Sequence, residues 1–327
     1  MGPKVLFISQ PHGFKVDEST YCGVGISGNI LGTILTKSDR YDIQLLYTNS
    51  TVELENAILS INPVACIYNY HDATCGWLID PGIRNKYTNV QHIIIHYDFT
   101  QEKINTFHPD QYHGFKYIIS DDSSLKGNDN VFITRRFLPG SATVQYIEND
   151  IPRIGFQGFG FRHKGIHRIA EQVQKEFDQA IIRLHMPKSY YCDPYGHQSQ
   201  QRLSEVNQII TKPGIKVEVS FNFMETQDIV NWLAQNTINC YFYDYLDGAG
   251  IASAPNFALA SHRPIAVTKS HQLRNFWNLT PSVCIEDRSL KDIISSGIEP
   301  LKSLYEEYTI ENVLSDYHRI LDRLCVN

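Results

Sequence analysis

Two successive series of short Val-, Ile-, Tyr- and Phe-rich runs, each run separated from the next by a stretch of helical periodicity, constrain this chain more than any other feature. Such alternation marks βαβ units, whose strands lie parallel under covering helices. The first series predicts strands at residues 5–9, 43–47, 64–69, 92–96 and 116–120. One helix opens in the stretch Gly23, Val24, Gly25, Ile26, Ser27, Gly28, and another covers residues 52–60 and stops at Asn62 and Pro63. The second series predicts strands at 153–157, 180–185, 215–219, 239–243 and 264–268, with helices at 166–177, 200–209, 226–235 and 254–261. Between them the pattern loosens from Val131 to Asp150, which sets the expected boundary: an N-terminal domain of residues 1–150 and a C-terminal domain of 151–327. A last stripe of Ile310, Val313, Leu314, Tyr317, Leu321 and Leu324 reads as a terminal helix of the second domain, with one face to bury. Two domains also suit the length of 327 residues.

Composition narrows the function classes. With 42% apolar and 20% charged residues the chain is globular, and its net charge of -6 includes no long Lys/Arg run, which argues against nucleic acid as a partner. The seven cysteines are scattered and never spaced as C-x-x-C, so neither a disulfide framework nor a zinc cluster is expected. No metal or cofactor is assigned, and a reducing, cytoplasmic setting fits best. No apolar run approaches the roughly 18 residues of a transmembrane segment, which leaves peripheral contact with a membrane surface open.

The most informative stretch runs Tyr245, Leu246, Asp247, Gly248, Ala249, Gly250, Ile251, Ala252, Ser253, between an expected strand and an expected helix. Glycines at such a turn let a ligand approach the backbone, and a helix start offers N–H groups to a diphosphate. By itself the stretch is equally a steric turn. It continues, however, through Asn256 into Ala258, Leu259, Ala260, Ser261, His262, Arg263, Pro264, Ile265, Ala266 and Val267. This sequence resembles the retaining GT-B glycosyltransferases of the family 4 type, in which an acidic-Gly-aromatic-Gly turn leads to a small-residue helix and a Pro-initiated strand. The residues Gly155, Phe156, Gln157, Gly158 and Phe159 to Ile166 resemble the opening strand of the same domain, with the family's Lys-Gly pair at Lys164 and Gly165. The family arginine falls on Phe159, and Arg162 is expected to supply that charge. A second family acid falls on Pro255, with Asn256 beside it to meet a hydroxyl.

The resemblance implies two Rossmann-like α/β domains facing across a cleft, with C-terminal helices packing across the domains. It implies transfer of a sugar, with retention, from a nucleoside-diphosphate-sugar to an acceptor sugar or glycoconjugate (glycan, lipid or protein). Donor phosphates are assigned to Arg162, Lys164 and the turn of Gly248, Gly250, Ile251 and Ser253, and the donor sugar to Asp247. In the first domain, His96 at a strand end is similar in placement to the family's cleft histidine, with Asp98 beside it and His71 with Asp72 as the competing acceptor-side pair. Gly23 and Gly25 resemble the family's glycine loop near the donor phosphates. They lie too far from the first strand for a dinucleotide fingerprint, which disfavours a nicotinamide enzyme. Tyr190, Tyr191 and Tyr195 offer sugar stacking, and residues 220–224 follow a strand where a nucleobase is expected. The rival readings are a GT-B-like sugar-nucleotide epimerase or hydrolase, and a non-catalytic GT-B-like binding protein.

Overall fold

The computed structural model describes residues 2–11, 23–71, 75–78, 80–188 and 193–325. The chain divides into two units, Met1–Phe137 with Tyr308–Asn327, and Leu138–Glu307.

The first unit runs β1 (Lys4–Ser9), α1 (Gly23–Leu35), β2 (Asp42–Tyr47), α2 (Thr51–Ile61), β3 (Ala65–Asn69), α3 (Gly82–Lys86), β4 (Gln91–Ile95), α4 (Gln101–Asn105), β5 (Tyr117–Ser120) and β6 (Val131–Ile133). Its strands are all parallel, in the order β2-β1-β3-β4-β5-β6. A parallel sheet is covered on both faces, and the burial shows why its strands are apolar throughout. Val5 and Phe7 of β1 join one core with Leu31 and Leu35 of α1, while the alternate residues Leu6 and Ile8 join a second with Leu54 and Ile58 of α2. Local chemistry sets the ends of α2: the Ser50 side chain accepts from Glu53 N, and Asn62 takes the left-handed conformation at φ 52°.

The second unit runs β7 (Arg153–Gln157), α5 (Ile166–Glu176), β8 (Ala180–His185), α6 (His197–Ile209), β9 (Ile215–Ser220), α7 (Thr226–Ala234), β10 (Ile238–Tyr241), α8 (Ala254–Ala260), β11 (Ile265–Val267), α9 (Leu290–Ser295) and α10 (Lys302–Glu307). The sheet is again parallel, in the order β11-β10-β7-β8-β9. Right-handed crossovers then put α5 and α6 on one face and α7 and α8 on the other, in keeping with the pairing of α5 with α6 and α7 with α8.

The chain then returns to the first unit as α11 (Ile310–Cys325). The division falls at residue 137, not near Asp150, and the terminal helix belongs to the first unit, whereas α9 and α10 stay with the second. The physical reason lies in the apolar stripe of α11. Val313, Tyr317, Ile320 and Leu321 bury with Leu31, Ile34 and Tyr41 of the first unit, and Asp316 accepts from the Arg135 backbone N–H at 2.8 Å and from its guanidinium at 3.0 Å. Strand β6, three residues long, lies inside the stretch that the sequence pattern left irregular.

Tyr317 is 1% exposed. Its replacement by Ala removes a buried aromatic and is expected to cost about 3 kcal/mol of stability. Urea unfolding followed by circular dichroism checks this, and an unchanged midpoint means that α11 contributes nothing to the first unit.

Candidate functional site

In open parallel sheets a ligand crevice forms at the carboxyl edge where the strand order reverses. In the second sheet that place is between β7 and β10: the chain leaves β7 towards β8 on one side, and leaves the adjacent β10 towards β11 on the other. Both stretches that the sequence singled out follow these two strands, and the backbone joins them. Asp244 N donates to the His163 carbonyl at 2.8 Å. Gly165 takes φ 60°, and a Cβ there would collide with the Phe242 carbonyl, so only glycine allows this approach. Arg168 donates to the Phe242 and Tyr243 carbonyls at 3.4 Å and lies 3.8 Å from Asp244 Oδ1. Thr268 Oγ1 and Ser270 Oγ hold the carbonyls of Tyr243 and Asp244 from the next loop, at 2.7 and 2.8 Å.

The short 3₁₀ turn Arg162–Lys164 rests on this joint. Lys164 Nζ lies over the Tyr243 ring at 4.0 Å, and the ammonium has no ion-pair partner among the described residues. A cation above an aromatic face is attracted to the ring, but removal from water disfavours its charged form. Burial lowers the Lys164 pKa to about 7. His163 is likewise lowered to about 4, first by burial and then by the Lys164 charge.

The stretch after β10 is a loop, and the helix that follows starts at Ala254, where the sequence pattern predicts it. Gly248 takes φ 72°, its N–H donates to Asp247 Oδ1 at 2.9 Å, and the Asp247 side chain is exposed. Arg274 Nη1 donates to the Ala249 carbonyl at 3.2 Å, and Ala252 N donates to the Gln272 carbonyl at 2.9 Å, so the following loop buttresses the turn. Gly250 and Ile251 are both buried. That helix, α8, is seven residues long and has Ser253 at its start with no side-chain capping bond. The amides of Gly248 to Ile251 are therefore loop amides, because the αL glycine and the Arg274 contact hold the chain out of helix until Ser253. Asn256 is 4% exposed inside the first turn of α8, beside Pro255. Arg162 is exposed and lies 3.8 Å from Glu205 Oε1, which Arg202 already holds at 2.6 Å.

The first unit has its own reversal, between β1 and β3. The side chain of Asn69 at the end of β3 dominates it, donating to Ser9 Oγ at 3.1 Å and to the Val24 carbonyl at 3.0 Å, and accepting from Tyr97 O–H at 2.6 Å. Asn69 was not singled out from the sequence; its only signal was its place at the end of an apolar run. Gly23 and Gly25 form the first turn of α1, and Gly28 packs so closely on Asn69 and Ser9 that no side chain fits there. His96, just past β4, stands among Tyr70, Phe99 and Tyr112, with ring centroids 6.4, 5.2 and 5.4 Å away, and its Nδ1 accepts from Asp98 N at 3.2 Å. The Asp98 side chain is exposed, and His71 is half-buried. Asp72, Tyr190 and Tyr191 lie outside the described residues; Tyr195 is exposed. Among the described residues no group of three His, Cys, Asp or Glu is placed to hold a metal ion, and no helix is long and apolar enough to cross a membrane.

No family model matches the chain, and no curated protein matches it. Solved structures do. The sucrose-phosphate synthase of Thermosynechococcus elongatus matches with a TM-score of 0.66 at 10% identity, covering 98% of this chain and 99% of its own. Anabaena HepE, solved with UDP and glucose, matches at 0.64 and 9% identity over 98% and 100%. A glycosyltransferase from Rickettsia africae matches at 0.63 and 11% identity over 100% and 99%. The fold is therefore the two-sheet α/β architecture of the GT-B glycosyltransferases, matched over essentially the full chain.

Because the folded protein depresses Lys164, the unfolded chain binds more protons between about pH 7 and the ordinary lysine value. The penalty of burying this charge is complete below pH 7 and is relieved as pH rises towards 10. Lys164→Met is thus expected to melt higher than wild type at pH 6.5, with the difference closing by pH 10. Thermal scans across that range check it, and a difference that does not vary with pH contradicts the depressed value.

Proposed function

We propose that this protein transfers a sugar from a nucleoside-diphosphate-sugar to an acceptor, the diphosphate lying at the carboxyl edge of β7 and β10. One observation carries the reading: a lysine ammonium without an ion-pair partner among the described residues stands at the order reversal of a parallel sheet, on a joint that ties together both motifs of the retaining GT-B type. The fold and the UDP found with Anabaena HepE support the same donor class.

In this reading Lys164 neutralises the diphosphate and stabilises it as charge develops on the leaving group. The backbone of the loop Gly248, Gly250 and Ile251 lines the phosphates, with Ser253 at the start of α8, and Arg162 adds a second cation by leaving the already paired Glu205. Asp247, whose carboxylate is exposed, accepts from hydroxyls of the donor sugar, a hexose in the resembling family, and Asn256 takes the place beside the missing second acid. The family resemblance assigns Gly23 and Gly25 to the donor, and His96, with Asp98 or His71, to the acceptor hydroxyl. No resident metal or cofactor is assigned, and retention rests on the family resemblance alone. A non-catalytic sugar-nucleotide binder is the second reading, favoured by Pro255 in the place of the second acid.

Titration calorimetry with UDP-, GDP- and ADP-sugars tests the donor class. Binding of at least one is expected, and binding of none removes the reading; binding with no transfer to any acceptor supports the second. Lys164→Ala is expected to lower transfer by about a hundredfold with the fold intact, and unchanged turnover removes the phosphate assignment. A bound diphosphate raises the Lys164 pKa from about 7, so binding at pH 8 takes up a proton. Affinity then falls as pH rises above 7. Calorimetry in buffers of different ionisation enthalpy measures that uptake, which Lys164→Ala abolishes.

A further inference from the structure

Two rows of side chains cross β7 and β8 on the face covered by α7 and α8. The parallel register sets Gly155 beside Arg183 and, two residues on, Gln157 beside His185, so the four share one face. Asn236 marks that face, since a Cβ on Gly155 would run into its amide and Arg183 Nη1 donates to its Oδ1 at 2.5 Å. The inner row is hydrogen-bonded onward: Asn236 Nδ2 donates to Asn239 Oδ1 at 2.8 Å, and Asn239 Nδ2 to Ser261 Oγ at 3.3 Å.

The outer row is different. His185 is 0% exposed, and neither ring nitrogen has a hydrogen-bond partner among the described residues. Gln157 Oε1 beside it is also sealed from solvent and unpaired, although Gln157 as a whole is half-buried. The imidazole packs on the Trp232 indole with centroids 5.8 Å apart, and burial keeps it neutral, with its pKa lowered to about 4. Unmade bonds at buried polar atoms are costly, and a phenylalanine would fill the same place without them. A neutral imidazole carries one N–H and one bare nitrogen, and the amide oxygen on the adjoining strand is the complement of the N–H. Gln157 is also the last residue before the loop that carries Lys164.

We propose that His185 is a positioning residue: when a nucleoside diphosphate binds, the His185 ring N–H, unpaired among the described residues, engages Gln157 Oε1 and turns the Gln157 amide N–H₂ outward, where it donates to an oxygen of the diphosphate whose charge Lys164 neutralises. This rests on the donor reading above. Gln157 then touches the ligand, and His185 acts through it.

The test is calorimetry on the full chain with whichever of UDP, GDP and ADP binds the wild type, using Gln157→Leu, His185→Phe and the double variant. Each single change is expected to weaken binding about tenfold, as for one hydrogen bond to a charged or polar partner. The double variant is expected to bind no more weakly than Gln157→Leu, because both changes remove one coupled contact. His185→Phe is also expected to melt no lower than wild type, which separates positioning from structural support. Binding by His185→Phe within twofold of wild type overturns the proposal, and so do additive losses. If His185→Phe does not fold, ¹⁵N spectra of the wild-type imidazole decide: a ring N–H signal that moves on adding nucleotide in wild type and not in Gln157→Leu supports the proposal, and an unmoved signal overturns it. A wild type that binds none of the three nucleotides instead removes the donor reading, and this proposal with it.

Discussion

The Phe242 carbonyl leaves no room for a side chain at residue 165, and the geometry of the second unit's carboxyl edge depends on that contact. Because Gly165 turns left-handed against the end of β10, the 162–165 turn lies on the chain that follows β10, where Asp244 N seals the joint through the His163 carbonyl. Lys164 is carried with it onto the Tyr243 ring. A Cβ at residue 165 would have to push the backbone away, and the cation would lose its seat along with the link between two stretches far apart in sequence.

The ends of β3 and of β7 differ in how their own polar side chains are held. Asn69 bonds to Ser9, to the Val24 carbonyl and to Tyr97, so the end of β3 satisfies its own polar groups. At the carboxyl edge of the second unit's sheet, Gln157 Oε1, both nitrogens of His185 and the Tyr243 hydroxyl are buried without hydrogen-bond partners among the described residues, beside a lysine depressed by burial. Polar groups held at such a cost gather where a protein gives up stability for function.

Much of the fold was legible in the residues. Alternating apolar runs of strand length and helical stripes announced two parallel sheets, and ten of the strands fall where those runs lie. What escaped were the three-residue β6 and the short helices α3, α4, α9 and α10, all too short to show a period, and the partner of α11. The stripe from Val313 to Leu321 states that one face must be buried, but periodicity carries no information about the surface that buries it. At the site, Lys164, Gly165 and the turn around Asp247 were legible because their residue types and order carry the chemistry. Gln157 and His185 were not, since each closes an ordinary apolar strand.

The sequence by itself determined the class of fold and the alternation of its main strands and helices, because periodicity and glycine placement are local properties of the chain. Tertiary structure alone decided which strands are neighbours, where the chain turns back to the first unit, and which buried polar groups stay unpaired among the described residues. The physical reason is that strand register and order bring together residues with no sequence relation to one another. Hydrogen-bond satisfaction, like the pKa of a buried lysine, belongs to that assembled environment and not to any stretch of residues.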